Sequence, residues 1–399
     1  MSEATLHSVA GPGGVTDAAT LVATHRALVG PFDRIVHRVA ADEAMLDEAA
    51  RGLPLGAATA EAIAVRLERL GTRLAWGEPD ALAGPQALIE LARARGRSSV
   101  DVLRADPTLL TQMQLGAWCQ STVRHRIARR MPMPRRGPAL LRAAADRAFW
   151  AEARQAATRD EWRRLTASYG ALVYHRLAGD DKPGQERVDL DPRRFAAQLR
   201  FLRRLGFRAL MPEEVLAFHE GDARMPRRAF VITVDDGTED CRDPLGEHRD
   251  SSPQLFVSAA EVGGRAHWLD NEPLLSWEEV EKLARKGVRV GAHARTHRPL
   301  AGLGPPELED EVSGSLEDLR ARLGDPLPLL AYPNGSHDEA VRAATVSAGF
   351  RAAWTTTKGR NGIGTDRWSL RRISVHANDG PIAVLWKVAT GETPPWRRR

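Results

Sequence analysis

Phe230-Val231-Ile232-Thr233-Val234-Asp235-Asp236-Gly237 decides how this chain is read. An apolar, β-branched run ends in two acids and a glycine. That composition marks a strand buried on both faces and closed by a turn, and such strands belong to parallel sheets covered by helices. A second stretch repeats the design, with Val288 to Gly291 running into His293-Ala294-Arg295-Thr296-His297. Adjacent carboxylates at one strand end and an H-x-x-x-H pair at another are the residue types that water activation on a catalytic zinc requires.

Working outward, residues 166–380 alternate short β-branched runs with helical stretches. The candidate strands are Ala171–His175, Phe230–Asp235, Leu255–Ser258, Val288–Ala292, Leu327–Tyr332, Phe350–Thr355 and Ile373–His376. The pattern predicts an α/β fold, with β/α units around a parallel sheet or barrel. Asp191-Pro192 gives a helix N-cap and N1 proline, Phe195, Leu199 and Leu202 share one face, and Gly206 is the stop. Ser276 with Glu279, and Ser336 with Glu339, have capping-box spacing. Both chemical strings fall at the same end of successive units, and the C-terminal strand ends are where active sites of such folds gather.

Neighbouring side chains on a strand point to opposite sides, so Asp235 and Asp236 can divide the work between a metal and a proton acceptor. His293 and His297 are four apart, and one helical turn puts both imidazoles on one side. With Asp236 they make two nitrogens and one oxygen, leaving a position open for water. Taken singly, an Asp-Asp-Gly turn and an H-x-x-x-H among 12 histidines are surface features more often than ligands. Their shared placement at strand ends reverses that weighting.

At 399 residues the chain has room for two or three domains. Its charged fraction of 27% and hydrophobic fraction of 43% are those of an ordinary soluble globular protein. The net charge of +5 is small for this length. The basic runs Arg124 to Arg136 and Arg397-Arg398-Arg399 carry no interleaved aromatics, so nucleic acid is not expected as a partner and solvated segments are the better reading. Cys119 and Cys241 imply no disulfide framework. The N-terminus shows no basic-then-apolar leader, and no 18-residue apolar span occurs, which predicts a cytoplasmic protein without a membrane span. Composition divides the chain into a mostly helical region over 1–130, a linker and helix over 131–165, a barrel over 166–385 and a basic tail over 386–399. Met131–Pro138 is the linker proper.

Residues 169–377 resemble the polysaccharide deacetylases, carbohydrate esterase family four. The motif T-F-D-D-G is similar to Thr233–Gly237, with Val234 in place of the aromatic. H-[ST]-x-x-H is similar to His293–His297, with Ala294 in place of the small hydroxyl residue. F-A-Y-P-x-G is similar to Leu330–Gly335, and Tyr174-His175-Arg176 resembles the Y-H-R opening of one branch. The resemblance implies a distorted (β/α) barrel of about seven strands and a metal-dependent hydrolase that removes N-acetyl groups from an amino-sugar polymer or glycoconjugate. It assigns a divalent metal, zinc first although cobalt or iron also suits, to Asp236, His293 and His297. Asp235 would be the general base, and His175 would protonate the departing amine. Ala331 stands where other branches place an arginine, so Arg372 or Arg371 would orient the base. The backbone N–H near Asn334 would help the oxyanion, and Tyr332, Asn334 and Trp368 would contact the N-acetylated saccharide. Between Gly237 and Gln254 the text is shorter and more polar than the family pattern, which predicts a loop there.

Gly30–Asp33, Val65–Trp76 and Pro79–Ala81 are similar to the acceptor half of family-two glycosyltransferases. Glu61-Ala62 stands where that family has its acidic pair, and the nucleotide-binding half is absent. Residues 1–100 therefore read equally as a glycosyltransferase remnant or as an unrelated helical domain. Two rival functions follow: a carbohydrate-binding protein on a decayed site, or a fragment of a bifunctional glycosyltransferase–deacetylase.

Overall fold

The computed structural model describes residues 4–5, 35–39, 48–54, 56–70, 74–77, 85–120, 138–178, 189–221 and 224–397. The chain splits into two compact units, Met1–Thr166 and Ala167–Arg399. The Gly30–Asp33 and Pro79–Ala81 strings, most of the Met131–Pro138 linker, the basic run 124–136 and Arg398-Arg399 lie outside the described residues.

The first unit contains helices Thr59–Arg69, Pro85–Ala105, Pro138–Ala156 and Arg159–Thr166. Gly96 sits mid-helix, where glycine costs about 1 kcal/mol relative to alanine. The reason is close approach: a Cβ there would lie 2.1 Å from the carbonyl oxygen of Phe149 on the Pro138–Ala156 helix. A small core of Ala58, Ala62, Val65, Val102, Leu109 and Met113 packs around the start of this unit. The unit is not all helical, since β1 (Ala4–Thr5), β2 (Ile35–Val39) and β3 (Leu74–Gly77) form an antiparallel sheet. His37 and Arg38 interrupt the apolar run in β2, so its strand character was not legible from pattern.

The second unit is the predicted α/β barrel, built on a curled sheet. Its strands are β4 (Ser168–Tyr174), β5 (Arg208–Ala209), β6 (Ala229–Val234), β7 (Gln254–Val257), then the small pair β8 (Arg265–Ala266) and β9 (Glu272–Pro273). After these come β10 (Arg289–Ala292), β11 (Leu329–Ala331), β12 (Ala352–Trp354), β13 (Arg360–Gly362) and β14 (Ile373–Ser374). The order is β12-β11-β10-β7-β6-β4, all parallel, with β14 parallel and β13 antiparallel to β4. All seven expected strands are present with ends displaced by up to three residues, while β5, β8, β9 and β13 were not foreseen. An irregular segment from Leu370 to Arg372 bridges β12 and β14. Leu370 N donates to Ala353 O at 2.9 Å, and Arg372 N to Thr357 O at 3.1 Å.

Side chains alternate between two apolar clusters. Leu172, Ile232, Val234, Leu255, Val290, Leu330 and Ala353 pack outward with helix residues such as Phe195, Leu199, Val280 and Leu316. Tyr169, Ala171, Val231, Phe256, Leu329, Ala331, Ala352 and Trp354 form the other, interior cluster. Gly291 belongs to the interior row because Phe256 fills the space, and a Cβ there would meet that ring at 2.8 Å. Helix Pro212–Glu220 contributes Val215, Leu216 and Phe218 to the interior cluster, covering the N-terminal strand ends. The opposite, C-terminal end carries the acids and histidines.

Local punctuation follows the sequence with two exceptions. Asp191 caps the Pro192–Arg204 helix by accepting from Arg193 N, and Ser276 with Glu279 forms the full capping box. The helix Glu339–Ser347, however, is capped by Asp338, whose carboxylate accepts from Val341 N at 2.9 Å; Ser336 instead accepts from Ala301 N. The stretch after Gly237 is no plain loop either. It contains a short helix, Arg242–Glu247, which buries Pro244 and Leu245. Among the described residues no helix is long and apolar enough to cross a membrane.

Candidate active site

Interior-facing positions at the C-terminal strand ends carry polar side chains. On β4 and β6 the parity that buries Ala171 and Val231 inside brings His175 and Asp235 to the rim. Tyr174 pairs with Val234, and Asp235 N donates to Tyr174 O at 2.9 Å, so His175 and Asp235 are neighbours across two strands. His293 continues the interior row of β10, its N–H donating to Val257 O at 2.8 Å.

Asp236 does not separate from Asp235 by strand pleat, as alternation alone would have it. β6 ends at Val234, and Asp236 and Gly237 both adopt left-handed backbone, with φ of 71° and 72°. Aspartate tolerates that region better than most residues. Glycine is needed at 237, since a Cβ would also lie 2.7 Å from Val257 Cγ1. The turn swings Asp236 toward the histidines and leaves Asp235 facing Arg372.

The two histidines are likewise not on a helical turn. Residues 293–297 are irregular, with Ala294 at φ 59° and His297 at φ 64°. The loop is held by buried Glu311, whose carboxylate accepts from Arg295 N and Thr296 N at 2.9 Å each and from the Thr296 hydroxyl. Arg295 in turn donates to Asp318 at 2.9 Å. Ser258 fixes the start of the loop by donating to His293 O at 3.0 Å.

Asp236, His293 and His297 bring one carboxylate oxygen and two imidazole nitrogens within 4.8 Å of one another. Asp236 Oδ1 lies 3.6 Å from His293 Nε2 and 3.2 Å from His297 Nε2. Tetrahedral ligands at zinc distances of about 2.1 Å stand roughly 3.4 Å apart, so the donor set fits such an ion. His293 Nδ1 is engaged with Ala331 O at 2.7 Å, which turns Nε2 to the site. Burial would raise the Asp236 carboxyl, but the His297 hydrogen bond and the nearby charges of His175 and His293 hold it well below the usual carboxylate range. Burial pushes the His293 imidazole down, against the pull of Asp235. An ionised carboxylate and a neutral imidazole are the forms that ligate.

A family model described as polysaccharide deacetylase matches residues 222–353, the span from the approach to β6 into β12. The chain carries a polysaccharide deacetylase domain. YxkH of Bacillus subtilis (strain 168), which bears a polysaccharide deacetylase name, is 22% identical over 207 residues, covering 51% of this chain and 70% of that one. The Streptococcus pyogenes deacetylase PplD, solved with acetate, is similar in structure at a TM-score of 0.50 and 20% identity, over 57% of this chain and 99% of its own. IcaB from Ammonifex degensii aligns at a TM-score of 0.48 and 23% identity, over 54% and 95% of the two chains. The barrel fold is shared with PplD, and the family match over residues 222–353 marks that domain as a deacetylase hydrolase.

Within the deacetylase domain, Arg372 rather than Arg371 meets the acid. Its Nη1 donates to Asp235 Oδ1 at 2.6 Å and to Thr233 Oγ1 at 3.1 Å, and its Nε to Thr355 O at 3.1 Å. Burial would raise the Asp235 carboxyl, yet the Arg372 guanidinium and the charge of His293 keep it below its ordinary value. Arg371 is tied to Asn361 instead. His175 is half-buried, and its Nδ1 is buried without a hydrogen-bond partner. The backbone around it is fixed: Cys241 Sγ donates to His175 O, and Arg176 bonds Asp189, Asp240 and Glu272 at 3.1, 2.8 and 3.3 Å.

Two of the three expected saccharide contacts belong to the barrel wall. Tyr332 is fully buried in the outward cluster, stacks on His337 and donates its hydroxyl to Trp368 O at 3.2 Å. Trp368 is buried in the same cluster, with Arg367 over its ring. Only Asn334 is exposed, in left-handed backbone (φ 55°) just beyond β11. Sequence reasoning missed Glu311 and Trp268. Glu311 could have been found as an acid on the otherwise buried stripe Leu308, Val312, Ser315 and Leu319. Trp268, in the turn between β8 and β9, donates its indole N–H to Asp236 Oδ1 at 3.0 Å and left no comparable mark in the sequence.

Proposed function

We propose that this domain removes N-acetyl groups from an amino-sugar polymer or glycoconjugate, with a divalent metal, zinc by preference, held by Asp236, His293 and His297. The observation that carries the reading is the convergence of that donor set with the buried Asp235–Arg372 pair at one end of the barrel. When bound, the ion would supply Lewis acidity toward the acetyl oxygen and lower the pKa of water.

The chain's own groups then divide the proton work. Asp235, kept ionised by Arg372, is the base that takes a proton from the attacking water. Arg372 occupies Oδ1, so the carboxylate is oriented rather than left to rotate. His175 lies close enough for its charge to act on both Asp235 and Asp236. It is the acid that protonates the departing nitrogen, a role suited to an imidazole. The N–H near Asn334 donates to the developing oxyanion. Residues 1–100 receive no chemical role in this reading. Glu61 is bonded to Arg95 and to Gln114 N, which leaves no free acid where a glycosyltransferase base would stand.

Acetate release from a panel of N-acetylated saccharides, with and without chelator, tests the proposal. Chelator-sensitive release from at least one amino-sugar substrate is expected. Saccharide binding without any release, in protein carrying stoichiometric zinc, would favour the carbohydrate-binding alternative.

A further inference from the structure

Trp268 projects from the turn that joins β8 to β9, and it touches two of the three groups assigned to the metal. Its indole N–H donates to Asp236 Oδ1 at 3.0 Å, the same oxygen that faces both imidazoles. Its ring lies flat on His297, with centroids 4.1 Å apart and planes 7° from parallel. No other described side chain both bonds the carboxylate and stacks on a ligand ring. His297 needs such support, for it sits at the far end of an irregular loop with left-handed backbone.

The turn itself is firmly anchored. Arg265 Nε donates to Asn271 O at 2.8 Å, and Asn271 N and Leu269 N both donate to Ala266 O. Leu275 N, just beyond β9, donates to Gly237 O at 2.9 Å, which ties the arm to the residue following Asp236. Glu272 on β9 meets Arg176, the residue after His175. The arm is thus built from the same neighbourhood as the ligands it touches.

We infer that Trp268 is a positioning residue for the metal centre: its N–H fixes the Asp236 carboxylate and its ring fixes the plane of His297, so the set is arranged before the ion arrives. The inference rests on the metal site proposed above. An indole N–H is a donor only, and it can hold an ionised carboxylate but not a protonated oxygen pointing its hydrogen at the ring. Outer groups that orient ligands typically account for 10–100-fold in metal affinity.

The test compares Trp268→Phe, which keeps a stacking ring and loses the N–H, with Trp268→Leu, which loses both. His297→Ala serves as the control for the site. Zinc affinity by chelator competition and the visible absorption of the cobalt-substituted full chain are measured for each, with thermal melts to establish folding. Trp268→Phe is expected to weaken zinc about tenfold and Trp268→Leu about 100-fold, with altered cobalt bands in both. Trp268→Leu that binds zinc as tightly as the parent, with an unchanged cobalt spectrum, overturns the inference if His297→Ala loses the metal. If His297→Ala keeps full zinc affinity, the metal assignment itself fails, and with it the role of Trp268.

Discussion

In each unit a buried arginine holds a carboxylate, Arg95 with Glu61 and Arg372 with Asp235, and the two pairs are committed differently. In the first, Arg95 reaches Glu61 Oε2 at 2.5 Å while Gln114 N donates to Oε1 at 3.1 Å, so both oxygens hold structure together. In the barrel, Arg372 takes Asp235 Oδ1 at 2.6 Å, and His175 and His293 bear on the same carboxylate through their charges. Burial and ion pairing are common to both, and neither marks a functional acid. What distinguishes Asp235 is its company: titratable groups on adjoining strand ends, at the rim of the sheet rather than inside a helical core.

The contrast can be broken most sharply by removing each acid's charge. Asp235→Asn should cut acetate release by about 10²–10⁴-fold while zinc binding and melting temperature change little. Glu61→Gln should leave the rate per folded molecule alone and cost about 3–5 kcal/mol in urea unfolding of its unit, because Arg95 is left buried and unpaired. A variant at Glu61 that lost activity at full stability would erase the distinction. Asp236→Asn belongs to neither class and should lose zinc first, measured by metal content after dialysis.

His175→Ala sharpens the same division on the acid side. Amide hydrolysis should fall about 10²–10³-fold, as expected for a lost general acid, whereas an activated acetyl ester, whose leaving group needs no proton, should suffer much less. Equal losses on both substrates would make His175 structural and turn attention to His376. A smaller effect is expected at the loop support: Glu311→Gln should weaken zinc by roughly tenfold through slackening of the histidine loop, read by chelator competition. Unchanged affinity would show that the loop holds its form without that carboxylate.

The smallest effect lies in the helical unit. The Arg104 hydrogen bond draws Glu161 down from 4.5 to about 2. A carboxyl depressed in the folded state stabilises fully above its unfolded pKa, so this contribution is complete above pH 4.5 and disappears as the pH falls toward 2. Glu161→Gln should therefore flatten the acid limb of the stability curve over that window. Its destabilisation is present at neutral pH, vanishes toward pH 2, and is small throughout because the pair is partly exposed. An unaltered acid limb would remove Glu161 from the account.

Strand positions in the barrel were legible because parallel strands buried on both faces read as unbroken apolar runs. The chemical strings were legible because glycine and paired acids interrupt such runs abruptly. The route by which ligands converge was not. Strand alternation and helical spacing both assume regular backbone, and the site uses left-handed residues at Asp236, Ala294 and His297 instead. Local spacing also cannot report partners far along the chain, which is why Glu311, 16 residues from Arg295, and Trp268, 32 from Asp236, went unread. Tyr332 illustrates the opposite failure. The resemblance implied a saccharide contact there, but Tyr332, just past the end of β11, is buried in the outward cluster of the wall.

Arg372 joins two duties that are separable in most enzymes. Its backbone N–H and Nε hold the carbonyls of Thr357 and Thr355 where β12 and β14 fail to pair directly, while its Nη1 holds Asp235. One side chain is both the seam of the sheet and the anchor of the proposed base. Any exchange at this position is judged twice, once by architecture and once by chemistry, and a lysine, with its single point of charge, could satisfy only one judge at a time. Adaptation of this enzyme toward a new pH or temperature would therefore have to proceed around residue 372, through the shells that surround it, rather than through the residue itself.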